Sequence, residues 1–121
     1  MADTPEARVK KKVKQLLDEM GVYHFSPYQA GMGSAGVHDI ICCVNAFFVT
    51  VECKKDEKTA PTALQTKHAH MVQASNGVVF LANGVNMREL EELLTRIKEH
   101  KHGVVWSSFW PFSGPAAFDK W

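Results

Sequence analysis

The chain opens with apolar positions that recur every three or four residues: Val9, Val13, Leu16, Leu17 and Met20. That is the period of an α-helix with one buried stripe. Thr4 suits the cap of such a helix, Pro5 its first turn and Gly21 its exit, so a helix is expected from Thr4 to Met20. The pattern then shifts toward period two and unbroken apolar runs. Residues 22–29, VYHFSPYQ, suit a strand that Pro27 restricts to a sheet edge or a bulge. A glycine-rich connector, AGMGSAG, precedes residues 37–55, VHDIICCVNAFFVTVECKK, whose two apolar runs meet at Asn45-Ala46 and predict a hairpin. The polar loop KKDEKTAP leads into a second helix starting near Pro61 or Thr62 and stopping at Asn76-Gly77. VVFLA, residues 78–82, reads as a buried strand. Asn86 and Glu89 have capping-box spacing at the head of a third helix, which carries Leu90, Leu93, Leu94 and Ile97 as its stripe. Residues 104–106, VVW, suit a last short strand.

The element order is therefore α-β-β-β-α-β-α, with a possible final strand. One face of the hairpin carries Ile40, Cys42, Val44, Phe47, Val49 and Val51, and the other Ile41, Cys43 and Phe48. A sheet apolar on both faces has to be covered on both, so the expected class is α/β, a mixed central β-sheet flanked by helices. With 121 residues the chain fits one domain. Residues 1–105 form the expected folded unit. Residues 106–121 form an aromatic tail without periodicity, open to three readings: a strap over its own core, a contact with a second subunit, or DNA stacking through Trp110 or Trp121.

Composition narrows the class. The chain is 45% hydrophobic and 22% charged, which suits a folded protein and excludes a disordered one. No apolar run is long enough to span a bilayer, and MADTPEARVKKKVK lacks the apolar stretch of a secretory signal, so a cytoplasmic location with no membrane partner is expected. The three cysteines are odd in number, and the adjacent Cys42 and Cys43 point to opposite strand faces. Neither a disulfide framework nor a zinc cluster is expected, and all three are read as small buried apolar residues. The net charge of +1 announces no partner. The lysines nevertheless cluster, at Lys10, Lys11, Lys12 and Lys14 and again at Lys54, Lys55 and Lys58, either as solvated surface or as phosphate contacts.

The hairpin supplies the candidate chemistry. With Asn45 and Ala46 at the centre of a tight turn, Val44 pairs with Phe47, Cys43 with Phe48, Ile41 with Thr50 and Asp39 with Glu52. The two acids then stand opposite each other, roughly 5 Å apart at Cβ, and alternation returns Lys54 to their face. Opposed carboxylates repel, and one has its pKa raised. Two readings resolve this. The hairpin tips reach solvent and Glu52 and Lys54 form a weak surface pair. Alternatively a divalent cation lies between the acids, and two carboxylates, the backbone carbonyl of Cys53 and waters form an oxygen set of the kind Mg²⁺ accepts. Lys54 would then stabilise charge on a phosphate oxygen or help to deprotonate a nucleophilic water.

Gly36-Val37-His38-Asp39, Glu52-Cys53-Lys54 and Gln65 early on the next helix together resemble the PD-(D/E)XK nuclease superfamily, in particular its small stand-alone VRR-NUC domains of phages and bacteria. The related Holliday-junction resolvases come next. The likeness spans roughly residues 5–82 and implies a restriction-endonuclease-like core. It also implies that Asp39 and Glu52 are metal ligands, that Lys54 is the catalytic lysine, and that Gln65 orients the lysine or the nucleophile. Glu6 matches the acid such nucleases bring from their first helix, although a favourable acid on a helix dipole explains it too. Ser34 matches a loop serine that assists at the scissile phosphate, or belongs to a plain connector. His38 departs from the usual proline, either as a group that titrates or touches phosphate or as a more flexible replacement; Cys53 fills the variable position. His68 and His70 either approach DNA or lie on an open helix face.

The expectation is a Mg²⁺- or Mn²⁺-dependent endonuclease of branched DNA such as four-way junctions, leaving 5′-phosphate and 3′-hydroxyl ends. Lys10, Lys11, Lys14, Lys55, Lys58 and Lys67 would hold flanking phosphates. A homodimer would supply the two sites a symmetric junction needs. Two alternatives stand beside it: a non-catalytic DNA-binding module of the same fold, and a metal-dependent hydrolase of another substrate.

Overall fold

The computed structural model describes residues 3–27, 35–101 and 121. Helix α1 (Pro5–Glu19) starts where Thr4 caps it, the hydroxyl accepting from the Ala7 N–H at 3.1 Å. Beyond its end Gly21 adopts φ +68°, a conformation that costs glycine little. Strand β1 (Tyr23–Phe25) follows, then the hairpin of β2 (Ile40–Val44) and β3 (Phe47–Cys53). Its pairing joins Ile40 to Val51, Cys42 to Val49 and Val44 to Phe47, the expected register. Asn45 and Ala46 have φ of 49° and 68°, the left-handed pair that a two-residue turn between right-twisted strands requires. The Asn45 side chain offsets the strain by donating to the carbonyls of Ile97 and His100 at 2.9 and 2.8 Å.

Helix α2 (Ala63–Ala74) carries the chain across to β4 (Val78–Ala82), parallel to β3, with Val49 beside Val78 and Cys53 beside Ala82. Helix α3 (Met87–Glu99) closes the described fold. The sheet order is β1-β2-β3-β4, with antiparallel pairs followed by one parallel pair, so the protein is α/β with a mixed four-stranded sheet flanked by helices. Among the described residues β1 is at an edge of the sheet, and Pro27 falls two residues past its end.

The core lies on one face of the sheet. Val9, Val13 and Leu17 of α1 and Leu90, Leu93, Leu94 and Ile97 of α3 pack there against Ile40, Cys42, Val44, Val49 and Val51. On the other face α2 covers β4 and the end of β3, burying Ala69. Gly36 fits under this helix because it lacks a side chain: a Cβ there would approach Leu64 within 2.6 Å.

Several expectations are corrected. Among the described residues the second sheet face is not covered throughout: Phe48 and Phe25 are each 48% exposed, and Tyr23 and Cys43 are also open. Two of the three described helices share the core face, leaving α2 as the described helix on the other. Cys43 is thus not a buried apolar residue. Asn86 does not form a capping box with Glu89. Its amide accepts from the Asn83 N–H and donates to the Leu81 carbonyl, tying the β4–α3 turn instead. The strand expected at 104–106, the glycine loop up to Ser34, and the tail up to residue 120 lie outside the described residues. Among the described residues no helix is long and apolar enough to cross a membrane.

Candidate active site

The tip of the hairpin opposite the Asn45 turn holds the acids. The register continues one step past Ile40 and Val51, so Asp39 meets Glu52, as the sequence predicts. The Asp39 N–H donates to Glu52 Oε1 at 3.2 Å, and the Cys53 N–H donates to Asp39 Oδ2 at 2.9 Å. Each acid is therefore clamped by the backbone of the other strand. Lys54 Nζ lies 3.4 Å from Glu52 Oε2, and Gln65 Nε2 donates to the same oxygen at 2.8 Å. Asp39, Glu52, Lys54 and Gln65 form one connected cluster.

Gln65 reaches Glu52 because of where α2 begins. Thr62 and Gln65 make the capping box: the Thr62 hydroxyl accepts from the Gln65 N–H at 3.2 Å, and Gln65 Oε1 accepts from the Thr62 N–H at 2.9 Å. The Gln65 amide thus holds the helix with its oxygen and the acid with its nitrogen. The Thr-x-x-Gln spacing announces this box in the sequence; its second bond, to Glu52, needs the fold.

The electrostatics are those of a closed and costly arrangement. Glu52 is 2% exposed. Burial, and then the charge of Asp39, push its carboxyl up to about 7, while Lys54 opposes the rise. Burial pushes the Cys53 thiol up as well, with both acids adding to it, so at neutral pH it is a thiol rather than a metal-binding thiolate.

Lys10, expected among the lysines that hold flanking phosphates, does not stand free on α1. It turns into the site, with Nζ 3.2 Å from Asp39 Oδ1. Burial works to lower its pKa, but the charge of Asp39, a hydrogen bond to it and the charge of Glu6 together raise it. Glu6 is half-buried one turn earlier and acts on both Lys10 and Cys53. Lys11 pairs with Asp3, Lys14 is half-buried, and Lys55, Lys58 and Lys67 are exposed. Asp56 orders the loop after Lys54: its Oδ1 accepts from the Lys58 and Thr59 N–H groups and the Thr59 hydroxyl, holding its pKa below the usual range.

His38 is a brace. Its Nε2–H donates to the Gln65 carbonyl at 2.9 Å and its Nδ1 accepts from the Thr50 hydroxyl at 2.7 Å, joining the hairpin to the first turn of α2. Burial, helped by His68, lowers its pKa against the opposing pull of the Gln65 carbonyl, so it stays neutral at pH 7. The Trp121 ring stacks on it at 4.8 Å. His68 is half-buried and His70 is exposed.

No protein-family profile, curated protein or solved structure matches the chain. What the site can hold has to be judged on its donors. Among the described residues no three His, Cys, Asp or Glu side chains converge as a metal-binding set. The oxygen donors are two carboxylates and a backbone edge. The Lys54 N–H points to Ala82 of β4, so strand alternation turns the Cys53 N–H and carbonyl toward Asp39 instead. This set fits Mg²⁺ or Mn²⁺, which take oxygen and complete their coordination with water. It does not fit structural zinc.

Proposed function

We propose that the protein is a Mg²⁺- or Mn²⁺-dependent endodeoxyribonuclease of the PD-(D/E)XK type, VRR-NUC-like, cutting phosphodiester bonds in branched DNA. The observation that carries this reading is the single cluster of Asp39, Glu52, Lys54 and Gln65 at the tips of β2 and β3. Two opposed acids, a lysine beside them and an amide fixing one carboxylate are the parts that phosphodiester hydrolysis needs at one place.

Asp39, Glu52 and the Cys53 carbonyl would hold the ion. When bound, it lowers the pKa of a nucleophilic water and neutralises a scissile phosphate. The residues of the chain do the rest. Backbone clamps from Cys53 and Asp39 fix both carboxylates. Gln65 keeps Glu52 in one orientation, and the ammonium of Lys54 stands ready to stabilise charge on a non-bridging phosphate oxygen. The exposed Lys55, Lys58 and Lys67 lie on elements that border the site and would engage flanking phosphates, so affinity should fall steeply with salt. A symmetric junction would call for two copies of the chain.

The test is direct. The protein is incubated with a four-way junction, a flap and a linear duplex, with Mg²⁺, with Mn²⁺ and with chelator, and the cuts are mapped. Metal-dependent cuts near the branch point, lost in Glu52→Gln, are expected. Binding without cutting under all conditions would favour a non-catalytic module, and absence of any DNA affinity at low salt would favour a hydrolase of another substrate.

A further inference from the structure

Counting charge around the acids shows an excess of protein cations once a metal enters. Asp39 and Glu52 bring two negative charges, and Lys54 and Lys10 bring two positive ones. Each acid already has a lysine partner, Asp39 with Lys10 and Glu52 with Lys54, and Glu6 is a further acid acting on Lys10. A divalent ion entering between Asp39 and Glu52 would face both ammonium groups. One lysine has to give way, and the two differ in their freedom to do so. The Lys54 side chain is 9% exposed and stands just past the end of β3, where its N–H is held by the Ala82 carbonyl. Lys10 is 36% exposed, comes from a separate element, and ends on a flexible four-carbon stem. It also has somewhere to go: Glu6 lies four residues earlier on α1, the spacing and order in which an acid and a lysine pair well on a helix.

We propose that Lys10 is a built-in counter-ion that occupies Asp39 in the metal-free protein and is displaced when a divalent cation binds. The proposal rests on the metal-site reading above. Lys10 is then a positioning residue. It keeps the opposed carboxylates together before loading and sets how tightly the ion is held. Removing it should therefore strengthen metal binding while weakening the metal-free fold.

Mn²⁺ affinity measured by titration calorimetry, without DNA, separates the two ideas. Wild type, Asp39→Ala, Lys10→Met, Lys10→Arg and Lys14→Met are compared. Lys10→Met should bind Mn²⁺ about tenfold more tightly, the scale of removing one unit charge from contact distance in a partly screened site. Lys10→Arg, which keeps the charge, should gain nothing. Lys14→Met, which removes a charge one turn along the same helix, should stay within about twofold because solvent screens it. The rise in thermal midpoint on adding Mn²⁺ should also be larger for Lys10→Met than for wild type. Equal Mn²⁺ affinity in Lys10→Met and wild type overturns the proposal, as does an equal gain in Lys14→Met, which would reduce the effect to net charge. Should Lys10→Met fail to fold, Lys10→Gln serves in its place. Absence of Mn²⁺ binding by wild type, or affinity unchanged in Asp39→Ala, instead overturns the metal site itself, before any Lys10 variant is consulted.

Discussion

The two ends of the β2–β3 hairpin share one register and have opposite characters. At the turn, the polar group is the Asn45 amide, and its two bonds run to backbone carbonyls at the end of α3. Both bonds serve the fold. At the open tip, Asp39 and Glu52 face each other, and their partners are mostly charged or come from distant elements: Lys10 from α1, Lys54 just past the end of β3, Gln65 from α2. That end costs stability, as the raised Glu52 carboxyl shows. A fold that needed only a hairpin would have no use for such a tip. The difference separates what holds the protein together from the cluster on which the proposed chemistry rests.

The largest effect should come from the tip. Lys54→Ala should lower single-turnover cleavage about 10³-fold, roughly 4 kcal/mol, the scale of losing one preorganised electrostatic group. DNA affinity should stay nearly unchanged in a binding assay. Unchanged cleavage would remove Lys54 from the chemistry. Next in size is the strand core beneath the tip. Ile40→Ala empties a fully buried site and should cost about 3 kcal/mol in urea unfolding. Val44→Ala, at the turn end, should cost stability too, but only Ile40→Ala, next to Asp39, should disturb cleavage in folded protein. Equal effects on cleavage would erase the distinction between the ends.

The pH dependence is smaller and has a definite sign. Glu52 moves from its usual 4.5 up to about 7 in the metal-free fold, so the folded state holds a proton that the unfolded chain releases first. Its contribution to stability is full below about pH 4.5 and disappears as pH rises through 7, a change on the order of 3 kcal/mol. The difference in unfolding free energy between wild type and Glu52→Gln, followed across that window, should report it. A pH-independent difference would refute it. Smallest is the turn: Asn45→Ala should cost about 1–2 kcal/mol in urea unfolding through two lost hydrogen bonds and a left-handed alanine, with cleavage unaltered.

Much of this was legible before folding. Strict alternation and a two-residue turn determine which residues meet, so the opposition of Asp39 and Glu52 followed from counting. Helical stripes placed α1 and α3, and β4 coincided with its apolar run. The rest depends on contacts between elements remote in sequence. Lys10 looks like any lysine of a basic helix until α1 is laid against the hairpin. His38 looks like an exchange of proline until α2 starts beside it. Asn86 had the spacing of a cap, but the carbonyl of Leu81 and the N–H of Asn83 were nearer partners. The half of the second sheet face that the described helices leave open was missed because apolar pattern reports a wish for cover without saying how many helices are on hand.

The capping position on α2 explains why the residue there is glutamine. A glutamate would close the helix end equally well, since that motif accepts either side chain. It would also turn a third negative group onto Glu52 and lose the N–H that now holds it. An asparagine would fall one methylene short of the bridge. Where α2 begins and how the acid is aimed are thus decided by one side chain, so selection acting on either must act on both.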